Sequence, residues 1–172
     1  MSPTAEPPPQ CPMCRGTADA ELDRILVWDD ALWPLTVSLA AEVPGFAYLE
    51  SKRHVPHITD LSGDEAATFG TTLAQCSRAL REATGAEVVY VYIFGDGIPH
   101  LHVHLAPHRR GDGLNDQMIR GEIVEEKLPS GATLFFSKEF PSLPRDQLLA
   151  VADRVRRTMN DDEHDADDGD RH

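Results

Sequence analysis

Cysteine, basic residues and long apolar stretches are all scarce in this sequence of 172 residues. Three cysteines are too few for the disulfide framework of a small secreted protein. No apolar stretch approaches the roughly 20 residues of a membrane-spanning helix, and residues 1–10 carry no secretory signal. Lys and Arg number 16 against 29 Asp and Glu, and the formal net charge of −13 argues against binding to a nucleic-acid backbone. We therefore expect a cytoplasmic protein that binds neither membranes nor nucleic-acid backbones.

The length of the chain predicts one domain between two irregular ends. Residues 1–10 contain four prolines and predict a disordered arm. Residues 161–172 contain seven acidic side chains and one arginine, which predicts a disordered acidic tail. The residues between them, 11–160, are expected to form the domain.

Apolar patterning predicts an α+β fold with an antiparallel sheet. Ser62 and Glu65 have the spacing of a capping box at the start of a helix that ends at Gly85, and a second, C-terminal helix is expected over 144–159. Strands are expected over residues 24–29, 35–39, 46–50, 87–93, 101–105 and 133–137.

Three histidines alternate with apolar residues at His100, His102 and His104. Alternate side chains of a strand point to one face, so these imidazoles share a face while the apolar residues between them pack into a core. Imidazole serves nucleophilic, acid–base and metal-binding roles near neutral pH. The pattern alone leaves both a catalytic centre and a metal site open.

Cys11 and Cys14 form a C-x-x-C pair near the start of the chain. Such a pair occurs in redox and in zinc sites, but the βαβ context of a thioredoxin-like site is missing here. Zinc requires four nitrogen or sulfur ligands in a tetrahedral arrangement, of which this pair supplies two. Cys76 lies on the apolar stripe of the first predicted helix and is expected to be a core thiol.

The segment from His100 to Ala106, HLHVHLA, resembles the signature of the histidine triad family, His-φ-His-φ-His-φ-φ with φ apolar. The resemblance covers roughly Cys11 to Arg110 and implies the family's fold, an antiparallel sheet with a well-capped helix packed on it. It implies that His102 attacks the α-phosphate of a nucleotide, and that the nucleotidyl-histidine intermediate passes to water or another acceptor. His104 would orient His102 and share protons with it.

The same resemblance implies a structural zinc site. Bacterial members of the family complete a C-x-x-C pair with the histidine of a Pro-Lys-x-His segment and with the first histidine of the triad. Residues 51–54, SKRH, match that segment with serine in place of proline. The implied ligands are Cys11, Cys14, His54 and His100, with His57 as the alternative to His54.

Residues that contact the substrate are implied on both sides of the triad. Asp96 and Gly97 stand where the family has an amide and a hydroxyl, and backbone amides there still offer an oxyanion cradle. Arg109, or its neighbour Arg110, follows the triad and would meet phosphate charge; a solvated basic turn is the other interpretation.

The resemblance implies roles for two further positions. Ser38 is the counterpart of a ribose-binding residue, with Asp29 or Asp30 as alternatives. Phe46 replaces a histidine that supports the triad from the neighbouring strand in other members.

The resemblance implies a nucleotide-phosphate hydrolase or nucleotidyl transferase that acts through His102 and contains a structural zinc ion. The resemblance also implies a homodimer. Two alternatives stay open: a metalloenzyme that holds a redox or catalytic metal on the triad and acts on a biosynthetic substrate, and a nucleotide-binding protein without catalysis.

Overall fold

A five-stranded antiparallel sheet, with strand order β1-β2-β3-β5-β4, is the centre of the molecule. The computed structural model describes residues 11–93, 98–110, 123–129, 131, 133–137 and 140–168. The predicted arm at 1–10 lies outside these residues. The strands of the sheet are β1 (Arg24–Asp29), β2 (Pro34–Ser38), β3 (Ala47–Glu50), β4 (Val88–Ile93) and β5 (His102–His108).

Helices and a separate hairpin complete the fold. A short helix α1 (Ala18–Glu21) precedes the sheet, and a 3₁₀ turn (Ile58–Asp60) leads into the long helix α2 (Gly63–Thr84). Strands β6 (Ile123–Lys127) and β7 (Thr133–Ser137) pair antiparallel with each other. The last helix is α3 (Arg145–Asp168). The predicted α+β class is confirmed.

The two faces of the sheet differ in character, as the alternation in the sequence predicts. One face buries apolar side chains completely, among them Leu35, Leu49, Val103 and Leu105 at 0% exposure, in a core shared with α2 and α3. The opposite face presents His102 and His104 on β5. Burial of the first face therefore holds β5 in place while its second face stays available for chemistry.

Tight turns fix the ends of the elements around β3 and α2. Gly85 has a left-handed backbone (φ 69°) and donates its N–H to the Arg81 carbonyl at 2.8 Å, which ends α2 as the sequence predicts. Gly45 precedes β3 with φ +78°, and a Cβ at this position would lie 2.7 Å from Cγ2 of Thr84. Only glycine fits both that backbone and that close approach.

The start of α2 differs from the predicted capping box. Ser62 is the N-cap residue, but its side chain makes no capping hydrogen bond. Glu65 is buried and pairs with Arg53, whose Nε lies 3.1 Å from both carboxylate oxygens. A charge-assisted bidentate pair is stronger than a neutral capping bond, so the glutamate is drawn away from the helix end.

The C-terminal part of the chain also differs from the predictions. The sequence predicts a helix to 159 and a disordered tail from 161, whereas α3 continues to Asp168. A helix that has already formed gains one backbone hydrogen bond for each further residue it orders, which favours its extension into the acidic segment. Helix α1 and strand β6 were not predicted from the sequence. Among the described residues, no helix has both the length and the apolar character needed to cross a bilayer.

Candidate functional site

The histidines of the triad occupy two different environments. His102 and His104 lie on β5, are half-buried, and pair across the sheet with Glu50 and Tyr48 of β3. His100 precedes the strand and is 2% exposed. The shared face predicted for all three histidines therefore holds for the two that belong to the strand, and His100 is buried at its entrance.

A backbone carbonyl fixes the ring of His102. Nδ1 of His102 lies 2.6 Å from the carbonyl oxygen of His100. A carbonyl oxygen only accepts, so Nδ1 carries the proton and Nε2 of the neutral ring keeps a free electron pair. The ring centroid of His104, the residue expected to orient His102, lies 5.1 Å from that of His102. The main chain of His100 fixes the His102 ring through this hydrogen bond, and the orienting role of His104 stays a prediction.

Aromatic rings surround His104. The centroids of Tyr48 and Tyr92 lie 5.2 Å and 4.9 Å from the His104 ring, both edge-on. Phe46, which stands where the family carries histidine, lies 5.9 Å away. Burial, with a smaller effect of His102, lowers the pKa of His104 from 6.5 to about 3. His104 is therefore an uncharged imidazole at neutral pH.

The four predicted metal ligands come together beside the triad. The ligand atoms of Cys11, Cys14, His54 and His100 all lie within 4.8 Å of one another. Nδ1 of His100 is 3.4 Å from Sγ of Cys11 and 3.5 Å from Sγ of Cys14, and Nδ1 of His54 is 3.3 Å from Sγ of Cys14. His57 is exposed and outside this group. Segments that lie far apart in the sequence therefore meet at one point.

The chemistry of this Cys₂His₂ group fits zinc. Nε2 of His100 donates to the Ser51 carbonyl at 2.6 Å, which leaves the electron pair of Nδ1 directed at the two cysteines. Burial lowers the pKa of His54, so its ring is neutral as a metal ligand must be. Burial and the neighbouring Cys11 raise the pKa of Cys14 to about 12. Two adjacent thiolates here require a cation to stabilise them.

A buried ion pair includes Glu50, the cross-strand neighbour of His102, and was not predicted from the sequence. The guanidinium of Arg24 is bound to the carboxylate of Glu50, with Nη2 and Oε2 3.0 Å apart, and its Nε donates to Asp19 at 2.9 Å. The side chains of Arg24 and Glu50 are 2% and 5% exposed. The Arg24 guanidinium also lies 5.5 Å from the centre of the Tyr48 ring. One signal was available: both charges stand at the ends of otherwise apolar strands.

The predicted substrate residues are only partly brought together. Ser38 is buried on β2 and accepts the Ala40 N–H at 3.2 Å; the register places it on the same face as Tyr48. Asp96 and Gly97 lie outside the described residues.

The arginines after the triad lie at the other end of β5. Arg109 comes seven positions after His102, which is about 23 Å along an extended strand. The Arg109 guanidinium occupies the space beside Gly85, and Arg110 pairs with Glu87. β5 continues to His108 and places Arg109 at the opposite end of the strand from His102. Contact between Arg109 and phosphate therefore stays a prediction.

The two aspartates considered as alternatives to Ser38 have local roles. Asp29 pairs with Lys52 at 2.5 Å. Asp30 accepts the N–H groups of Leu32 and Trp33 at 2.7 Å and 2.6 Å, which stabilises the turn between β1 and β2.

Comparison with known proteins agrees with this geometry. The HIT domain family model matches residues 19–111, more than half of the chain. A bis(5'-nucleosyl)-tetraphosphatase (asymmetrical) from Schizosaccharomyces pombe is 23% identical over 76% of this chain and 78% of its own length. A bis(5'-adenosyl)-triphosphatase from Dictyostelium discoideum is 26% identical over 54% of this chain and 66% of its own length.

Solved structures show the same fold. A histidine triad protein from Bradyrhizobium japonicum superposes with a TM-score of 0.62 at 23% identity, covering 80% of this chain and 91% of its own. A Zn-bound histidine triad family protein from Mycobacterium smegmatis also has a TM-score of 0.62, at 19% identity, covering 90% of this chain and 96% of its own. The family model, the HLHVHLA signature and the fold agree: this chain belongs to the histidine triad (HIT domain) family.

Proposed function

We propose that this chain is a nucleotide-phosphate hydrolase or nucleotidyl transferase in which His102 is the nucleophile. Its two relatives named above are a tetraphosphatase and a triphosphatase of dinucleoside substrates, which supports a nucleotide phosphate as substrate. The hydrolase class predicted from the sequence agrees with those names.

The hydrogen bond from Nδ1 of His102 to the His100 carbonyl, at 2.6 Å, is the observation that carries this proposal. It holds the neutral ring in the tautomer that exposes the Nε2 electron pair, which a nucleophilic imidazole requires. In the proposed reaction Nε2 forms a bond to the α-phosphorus while the bond from phosphorus to the leaving group breaks. Water then attacks phosphorus, the P–N bond breaks, and one water proton is released.

We assign the Cys₂His₂ group to a structural zinc ion. Cys11, Cys14, His54 and His100 would hold it, and the ion would connect the N-terminal segment to the entrance of β5. A metal with four protein ligands has no open position for substrate, so its role is to stabilise the fold.

The remaining parts of the proposal concern binding and assembly. Ser38 shares the sheet face of the triad and is proposed as a ribose contact; Asp96 and Gly97 are proposed to contact phosphate. A homodimer in the cytoplasm is also proposed. Exposed apolar residues on the edge strand β4, Val88 at 38%, Val91 at 43% and Ile93 at 38%, support pairing through that edge.

Replacement of the nucleophile tests the function. His102→Asn should reduce turnover of diadenosine tetraphosphate by several orders of magnitude, because the covalent bond to phosphorus can no longer form. His57→Asn is the matched control, since His57 is exposed, and it should retain wild-type activity. When the reaction of the wild type is stopped without acid, mass spectrometry should detect a chain that carries a covalent adenylyl group. The His102→Asn variant should lack this adenylylated chain. Equal turnover by His102→Asn and wild type would refute the proposal.

The metalloenzyme alternative makes a different prediction for the same preparations. In the part of the chain that the structure describes, the group of donors close enough to hold a metal includes His100 but neither His102 nor His104. Iron or copper required for turnover would favour that alternative, and mononucleotide binding without turnover would favour the non-catalytic one.

A further inference from the structure

A cavity of about 460 Å³ lies where the turn between β2 and β3, the last part of β5 and helix α3 meet. This volume is within the range of pockets that hold small molecules. The turn contributes Val43 and Pro44 to its lining, β5 contributes Pro107, and α3 contributes Val151. The lining is mostly apolar with a few polar side chains, which is the composition typical of a site for a small organic molecule.

The cavity and the triad lie at opposite ends of β5 and on opposite faces of the sheet. Pro107 comes five positions after His102, which is about 17 Å along an extended strand. Pro107 alternates in step with Val103 and Leu105, whose side chains are fully buried in the core, whereas His102 belongs to the other face. A molecule bound in this cavity would therefore not contact the proposed nucleophile.

Close packing fixes the walls of the cavity. A Cβ at Gly45 would lie 2.7 Å from Cγ2 of Thr84 and 3.3 Å from Cγ1 of Val151, so the turn before β3 packs directly against α2 and α3. The backbone N–H of Leu143 donates to the carbonyl of Ala41 at 2.9 Å, which holds the segment before α3 against the same turn. The cavity is therefore formed by the fold itself, as most small-molecule sites are.

Arg154 of α3 brings a positive charge to this lining. Its Nε donates to the carbonyl of Ala83 at 2.9 Å, which holds the guanidinium near the end of α2. Within the described part of the chain, no carboxylate forms an ion pair with Arg154. A guanidinium held in this way can offer its two Nη groups to a carboxylate or a phosphate.

The other polar side chains of the lining do not cancel this charge. Arg109 also lines the cavity, with its guanidinium beside Gly85, and Gln147 adds an amide. Glu42 is the acidic residue of the lining, and it does not pair with Arg154. The lining therefore carries more positive than negative charge, on a chain whose formal net charge is −13.

We propose that this cavity is a second ligand site, which takes a small organic anion with a carboxylate or phosphate group on an apolar body. The anionic group binds the Nη atoms of Arg154, and the apolar body lies against Val43, Pro107 and Val151. This inference goes beyond the proposed function and does not depend on it, because no residue of the triad takes part.

Two probes that share an apolar body test the need for charge. In an NMR titration of the wild type, 3-phenylpropionate should bind with a Kd at least about 10-fold lower than that of 3-phenylpropan-1-ol, the lower end of what a hydrogen bond to a charged group contributes. The shifted amide signals should include Thr84, Ala86 and Val151 and should exclude His102. Phenyl phosphate, titrated in the same way, shows by its Kd whether the site prefers a phosphate or a carboxylate.

Three variants test the residues of the cavity. Arg154→Gln should raise the Kd of 3-phenylpropionate by about 10-fold. Arg157→Gln is the matched control, because Arg157 is an exposed arginine of the same helix outside the cavity lining, and it should bind like the wild type. Ala150→Trp fills the cavity from an exposed position of α3 and should abolish binding. The melting temperature of each variant shows whether its fold is retained.

Several results would overturn this inference. They are an equal Kd for the acid and the alcohol, equal binding by Arg154→Gln and Arg157→Gln, and shifted signals at the triad in place of the cavity. No binding of either anion at about 10 mM would also overturn it. If Arg154→Gln does not fold, the two probes and Ala150→Trp still decide the question. His102→Asn should bind 3-phenylpropionate like the wild type, so its loss of turnover bears on the proposed function alone.

Discussion

Replacing Glu50 by glutamine should destabilise this protein more than its small change in shape suggests. The substitution removes the negative charge that neutralises Arg24, whose side chain is only 2% exposed. Breaking a buried ion pair at one partner costs about 3–5 kcal/mol, because the other charge stays buried. Asp19 still contacts Nε of Arg24, so we expect the lower end, about 3 kcal/mol. For a domain of this size that is a loss of roughly 6–12 °C in Tm.

Urea denaturation of the metal-loaded protein measures this cost, and an exposed pair supplies the matched control. Lys52 and Asp29 are 41% and 45% exposed, so Asp29→Asn should cost under about 1 kcal/mol. The double variant Arg24→Met with Glu50→Leu removes both charges and should recover most of the lost stability. Equal losses in Glu50→Gln and Asp29→Asn would contradict the reasoning, as would a double variant no more stable than Glu50→Gln.

Two further predictions concern the cysteines and pH. Cys14→Ser should lower bound zinc from about one per chain toward zero and lower Tm, measured by elemental analysis and calorimetry, whereas Cys76→Ala should keep the metal; full zinc in Cys14→Ser would contradict the ligand assignment. His104 has a folded-state pKa of about 3, below its unfolded value of 6.5, so protons favour the unfolded chain. The free energy of unfolding should therefore fall as pH drops from about 6.5 toward 3, by up to about 1.4 kcal/mol per pH unit. In His104→Asn, the free energy of unfolding measured by urea denaturation should depend less steeply on pH.

The parts of the site that depend on local pattern were predictable. Strand alternation predicted His102 and His104 on one face and Val103 and Leu105 in the core, because histidines and apolar residues alternate with the period of two of a strand. The metal group was predicted by resemblance, and the structure gathers its four members within 4.8 Å.

The parts of the site that depend on main-chain atoms, or on pairing between distant residues, were not predictable from the sequence. No side-chain pattern shows that the carbonyl of His100 orients His102. The Arg24–Glu50 pair joins a residue of β1 to a residue of β3. Their contact depends on the order of the strands in the sheet.

The full length of β5 was not predicted for a related reason. The sequence predicts a strand over 101–105, yet β5 continues through Pro107 to His108. β3 pairs with β5 only as far as Leu105, so beyond that point β5 pairs with β4 alone. A proline is tolerated where one side of a strand has no partner to receive its missing N–H.

His100 contributes to this protein through two atoms that mutagenesis treats differently. Its ring belongs to the metal group, and its carbonyl oxygen belongs to His102. A substitution at position 100 deletes the ring but cannot delete the carbonyl, since every amino acid brings its own. Replacing His100 therefore keeps a carbonyl oxygen that can hold the ring of His102, but it removes a ligand of the metal group. An inactive variant at this position therefore reports on how the backbone path is held, and says nothing about an imidazole taking part in the reaction.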